Sequence, residues 1–172
     1  MTNYQSIITQ EAEVMSQLHK RIHETFKNRG KDLKTWEKAC EEFHQYVSKI
    51  DPFLDRVYEE QVYIDKELQE FIISFLEINP MFFRSGYIKE EILRKIGKSP
   101  ISLKHKERLR QVLIDAVENR GTREFKRYCR LAIYIANPEF CSYLINTSAY
   151  GKGARKSRAK LMLNYVHKFK NT

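Results

Sequence analysis

Few side-chain sets in this sequence have the type and spacing that chemistry needs. The five histidines are His19, His23, His44, His105 and His167. His19 and His23 stand four apart, so both fall on one face of a helix, as metal ligands can. The intervening residues are Lys20, Arg21 and Ile22, whereas the zinc-protease pattern needs a glutamate directly after the first histidine. No third ligand follows at metal-binding spacing, so the pair reads as solvated rather than metal-bound. The segment Tyr150-Gly-Lys-Gly-Ala-Arg-Lys-Ser157 invites comparison with a phosphate-binding loop. Its Lys156-Ser157 is preceded by Arg155 where the motif needs glycine, and no strand stands in front of it, which disfavours nucleotide hydrolysis. A glycine-containing loop entering a helix can still offer backbone amides to a phosphate, or it can simply be a linker. Carboxylate pairs are frequent: Glu41 with Glu42, Glu59 with Glu60, Glu67 with Glu70, and Glu90 with Glu91. Nothing places two of them in an apolar cleft, as a tuned acid–base pair requires. Cys40, Cys129 and Cys141 are too few and too widely spaced for a disulfide framework and read as reduced, partly buried thiols. No catalytic residue, metal site or cofactor is assigned on these grounds, and an enzyme ranks last among the functional readings.

Charge is the stronger signal. Residues 1–80 hold 10 basic and 15 acidic side chains, a net of −5, while residues 81–172 hold 21 and 7, a net of +14. Two clusters carry the excess. Arg120, Arg123, Lys126, Arg127 and Arg130 surround one interhelix joint, and the steps of four and three from 123 to 127 to 130 put three guanidinium groups on one helical face. Phe125, Cys129, Ala132 and Ile133 should face the core beside them, with Tyr128 flanking the basic face. The second cluster is Lys152, Arg155, Lys156, Arg158, Lys160, Lys168 and Lys170, in a stretch from 149 to 172 without one acid. Arg155 and Arg158 fall at the start of the last helix, where cations oppose the helix dipole by about 0.3–1 kcal/mol. A cost without visible structural return points to an anion met there.

Phosphate backbones are the commonest anionic partner of such a surface, and arginine forks suit them. Arg120, Arg123, Lys126, Arg127, Arg130, Lys152, Arg155, Lys156, Arg158 and Lys160 are therefore the candidate anion-binding residues, with DNA or RNA as partner. Three alternatives stand beside this reading. Basic faces can be merely solvating, the positive half could dock onto the chain's own acidic half, or an acidic protein could satisfy the same charges, as on an interaction scaffold of the helical-repeat type.

The elements that must position these residues read as helices throughout. All six glycines and four prolines fall between amphipathic runs, and no segment alternates with the period of a strand. Runs over about 3–28 and 33–50 form a long hairpin. In the second run, Leu33, Trp36, Cys40, Phe43, Val47 and Ile50 make a seam that fits packing within the chain or self-association. Asp51-Pro52 restarts the chain, which continues through Ile64 to about 78 with Asp65 as a possible new cap. Shorter helices follow over about 87–96, 103–120, 123–136, 138–147 and 154–170. Ser85, Ser102, Thr122 and Asn137 are their expected caps, and Leu161, Met162, Tyr165, Val166 and Phe169 are the apolar positions of the last.

The fold class is all-α, with about seven to nine helices. They form either an irregular bundle or a short stack of helix pairs of the HEAT or armadillo kind, since helix starts near 86, 122 and 154 recur at a suitable interval. An acidic long-helix region (1–80) and a basic short-helix region (81–172) form one unit. With no signal-like N-terminus and no span of membrane length, the expected setting is cytoplasmic without membrane contact.

Overall fold

A computed structural model describes residues 3–59, 65–97 and 99–170 of the chain. Glu60 and Ile64 lie outside the described residues, and Phe169 and Lys170 outside the described side chains. Among the described residues there are nine helices and no strand: α1 (Tyr4–Phe26), α2 (Leu33–Gln45), α3 (Asp51–Glu59), α4 (Lys66–Ile78), α5 (Ser85–Ile96), α6 (Leu103–Asn119), α7 (Phe125–Ile135), α8 (Pro138–Tyr150) and α9 (Gly153–Lys170). The all-α expectation holds.

Side-chain caps start most of these helices. The Asp32 carboxylate accepts from the Thr35 amide at 3.2 Å, and Asp65 accepts from the Glu67 and Leu68 amides at 2.7 and 3.1 Å. Ser102 Oγ accepts from the His105 amide and Asn137 Oδ1 from the Phe140 amide. Each satisfies a donor that the first helical turn leaves without a partner. Three expected caps behave differently. Asp51 lies inside the first turn of α3 and its carboxylate accepts from the Ser48 amide. The helices expected to begin after Ser85 and Thr122 have Arg84 and Glu124 at the cap position, neither with a side-chain cap bond. Ser85 Oγ instead accepts from the Phe82 amide, and Thr122 Oγ1 is buried without a partner.

Those two corners share one backbone design, 40 residues apart. The Ser85 amide donates to the Phe82 carbonyl, and the Tyr87 and Ile88 amides donate to that of Arg84. Likewise the Phe125 amide donates to the Thr122 carbonyl, and the Arg127 and Tyr128 amides donate to that of Glu124. Around these corners α4 packs on α6 and α5 on α7, so the two pairs lie in register, first helix on first and second on second. The remaining pair, α8 and α9, is the most intimately packed and α9 also covers α7 and α6. The helices after the three short links begin at 85, 125 and 153, intervals of 40 and 28 rather than the near-equal ones read from sequence.

The buried apolar residues, Ala39 of α2 apart, form one connected cluster running from Tyr4 to Val166. α4 is its centre, with every side chain from Phe71 to Leu76 buried. α1 enters the core only near its start: Ile8 is buried, whereas Phe26 is exposed. The α2 seam is correspondingly half open, with Leu33 and Val47 exposed and only Ala39 buried in the helix.

Charged groups inside the fold are all engaged. Lys89 of α5 and Glu124 at the start of α7 are 1% and 2% exposed and stand 3.7 Å apart. The Lys89 ammonium also donates to Asn79 Oδ1 at 2.8 Å and to the Pro80 carbonyl at 3.2 Å. Burial holds the lysine below its ordinary pKa, with Glu124 acting against that shift. The buried Glu11 carboxylate accepts from Tyr46 Oη, Ser48 Oγ and the Lys49 amide, tying α1 to the α2–α3 link. Burial would raise its pKa; the three hydrogen bonds outweigh that and hold it below the usual carboxylate value.

Two outcomes follow for stability. Removing one member of the buried pair, as in Lys89→Met or Glu124→Gln, should cost about 3–5 kcal/mol in urea unfolding, and the double replacement Lys89→Met/Glu124→Leu distinctly less than the sum. Because the folded pKa of Glu11 is depressed, its contribution is present above the unfolded value and fades as pH falls through the folded one. Glu11→Gln should therefore flatten the acid limb of a Tm-against-pH profile; an unchanged limb would remove Glu11 from the account.

Candidate anion-binding surface

The cations expected to form one surface divide into two populations. The first turns inward or onto helix ends. Arg120 is 4% exposed: its guanidinium bonds Asp115 Oδ2 at 2.6 Å, the Leu76 carbonyl at 3.1 Å and Tyr128 Oη at 3.0 Å. It belongs to the core and is corrected out of the surface, as is Tyr128, which is fully buried instead of flanking it. Arg158 donates to the Val117 and Glu118 carbonyls at 2.7 and 2.6 Å, the last turn of α6. Arg155 pairs with Glu118 at 2.7 Å. The structural return missing from the sequence reading is therefore present. These two arginines close the end of α6, where a cation is favourable, while standing at the start of α9, where it is not.

The same device recurs. Arg110 donates to the Ile135 carbonyl at the end of α7, Lys156 to Ala149 at the end of α8, and Lys95 to Tyr58 at the end of α3. Short helices leave a large share of their carbonyls without an intrahelical partner, and basic side chains fill that need here. Arg123 and Arg127 both reach Glu90, at 3.2 and 3.1 Å, and the Arg123 guanidinium lies 4.1 Å over the Tyr87 ring. Across the halves, Arg108 engages Glu70 and Glu77, and His105 lies 3.2 Å from Glu70. Docking of the basic half on the acidic one thus runs largely through α6 and α4, and it draws in Arg120 of the first cluster, which donates to the Leu76 carbonyl.

The glycines between α8 and α9 also have a structural cause. A Cβ on Gly151 would stand 2.4 Å from the Thr147 carbonyl oxygen, so the corner excludes any side chain there. Gly153 adopts φ +55°, the left-handed region open to glycine.

The second population points outward. Lys126 and Arg130 are exposed on α7, and Lys152 and Lys160 are exposed on and before α9. Spacing by four sets Lys126, Arg130 and Tyr134 in one row along α7, and Lys160, Asn164 and Lys168 in one row along α9. Between the rows runs a groove of about 470 Å³, lined by Arg130, Ile133, Tyr134, Leu161, Asn164, Tyr165 and Lys168. Tyr134 is 61% exposed. Leu161 and Ile133, expected in the core, form part of this groove instead. Sequence reasoning missed Tyr134, Asn164 and Tyr165 as site residues, although the row Lys126–Arg130–Tyr134 was legible as a repeat of four.

A larger cavity of about 740 Å³ lies among the starts of α1, α4 and α6, near Tyr4, Glu70, His105 and Arg108. Its central charges neutralise one another, and Tyr4 Oη donates to Glu67. The remaining titratable candidates are similarly placed. His19 stacks on Phe83 at 4.8 Å and meets His23 edge-on at 4.7 Å. Among the described residues no group of three or more His, Cys, Asp or Glu could hold a metal. All three cysteines are free, and burial pushes the Cys129 thiol up to about 12, which leaves no thiolate at neutral pH. Among the described residues no helix is long and apolar enough to cross a membrane. No protein-family model, curated protein or solved structure matches the chain.

The two populations should separate by mutation. Arg158→Ala should destabilise the fold by about 1–3 kcal/mol, because the α6 carbonyls lose their donor. Lys160→Ala should stay within about 0.5 kcal/mol. Equal effects in thermal unfolding would erase the distinction.

Proposed function

We propose that this is a non-enzymatic helical protein that binds nucleic acid through the phosphate backbone, using the α7/α9 face of its basic half. The observation that carries the reading is the pair of outward rows flanking the groove, Lys126–Arg130 and Lys160–Lys168, with Lys152 near the start of α9. Of the candidate residues, Lys126, Arg130, Lys152 and Lys160 contact the polymer directly. Arg123, Arg127, Arg155 and Lys156 add positive potential while held in internal contacts, and Arg120 and Arg158 support the helices that carry the face. A net of +9 remains after every acid of the chain is matched, and the excess lies in this half, so the surface attracts polyanions irrespective of sequence. A cytoplasmic setting fits reduced thiols and access to nucleic acid.

A second reading has its own support. The corners repeated 40 residues apart, with α4 on α6 and α5 on α7, favour a helical-repeat scaffold that binds an acidic protein partner. The half-open α2 seam would then serve self-association.

A mobility-shift titration with mixed-sequence DNA and RNA across a salt series decides between them. Binding should weaken with salt, log K falling by about 0.7–0.9 per phosphate contact for each decade. The triple variant Lys126→Glu/Arg130→Glu/Lys160→Glu should abolish it without altering the far-UV spectrum. Absence of any shift at moderate salt, or full retention by the triple variant, would overturn the nucleic-acid reading.

A further inference from the structure

We infer that the α7/α9 groove is a seat for an unstacked base of a single strand, which makes the preferred polymer single-stranded rather than duplex; this rests on the nucleic-acid reading above. The groove joins three features that backbone binding alone does not need. Tyr134 presents an exposed ring on the same row as Lys126 and Arg130, so a strand whose phosphates meet those cations has an aromatic face at the next turn. Ile133, Leu161 and Tyr165 give an apolar wall against which a base can lie. The Asn164 amide offers both a donor and an acceptor to a base edge.

Size points the same way. A volume of about 470 Å³ falls within the range of small-ligand sites. It suits a nucleotide, whereas a duplex would have to unpair and flip a base to use it. A purely electrostatic face would be solvated by polar side chains. Here two tyrosines and a leucine are kept partly open between cations, a combination that single-strand binders use because every base has a stackable face.

Fluorescence anisotropy with a labelled mixed-sequence 12-nucleotide RNA, the same sequence as single-stranded DNA, and the corresponding duplexes tests this. Single strands should bind more tightly than duplexes at equal salt. Tyr134→Ala should weaken single-strand binding about tenfold or more and leave duplex binding and the salt slope unchanged. Tyr134→Phe should restore it, since stacking needs the ring and not the hydroxyl. Arg130→Gln should weaken both forms and lower the slope. The side chain of Tyr134 is exposed, and circular dichroism checks that the fold is intact. Equal binding of duplex and single strand, insensitive to Tyr134→Ala, would overturn the base seat while leaving backbone binding in place. Failure of every nucleic acid to bind would overturn both, and would leave the groove to an acidic helical segment of another protein.

Discussion

Lys89 on α5 and Glu124 at the cap position of α7 are both shut off from water, and that pairing constrains everything around it. A lone buried charge costs several kcal/mol, so neither side chain tolerates the absence of the other. α5 can settle in the core only with the start of α7 against it. The lysine is further held by Asn79 and Pro80, at the turn that ends α4. Arg120 completes the junction from the end of α6, joining Asp115, the last turn of α4 and Tyr128 of α7. Four helices thus meet through a polar cluster whose geometry is far more specific than apolar packing alone. Its position fixes α7, and α7 carries the outward row of Lys126 and Arg130 on the side away from it.

The composition takes on a different meaning in this light. A chain of short helices has many C-terminal carbonyls to satisfy, and the described structure meets several of them with side chains from another element. Arg120 serves α4, Arg158 serves α6, Arg110 serves α7 and Lys156 serves α8. Arginine is well suited because its fork can bridge two acceptors at once, as Arg158 does. Much of the arginine excess therefore has a cause in folding. The part left for an external anion under the proposed reading is the smaller, largely lysine set on α7 and α9.

This division explains what could be read without coordinates. Helix content, the caps at Asp32, Asp65, Ser102 and Asn137, and the joints at glycine and proline are local, and local chemistry determines them. The two corners at 82–85 and 122–125 were misread in detail because the serine and threonine there look like caps. Their actual role is set by a backbone turn built around Arg84 and Glu124. Arg120 and Arg158 were misassigned for a different reason. Whether a guanidinium faces solvent or a carbonyl 40 residues away depends on which helices meet, and no spacing rule within one helix contains that information. Tyr134 and Leu161 were hidden by the same limit, since an apolar residue on a helix cannot announce whether its face is covered.

The groove between α7 and α9 is best understood against the rest of the surface. Several other exposed aromatic rings are matched internally: Tyr87 lies under Arg123, Phe83 stacks on His19, and Phe26 has Arg29 above it. Tyr150, at 85% exposure, stands on the corner between α8 and α9. Tyr134 has one ring edge near Gly97, yet stays 61% exposed and combines that ring with an apolar wall and a row of cations on its own helix. The buried face of Ala159, Met162 and Val166 holds α9 against the core, and Arg158 clamps its start to α6. These contacts set the roll of α9 about its own axis, and that roll leaves Leu161, Asn164, Tyr165 and Lys168 along the groove.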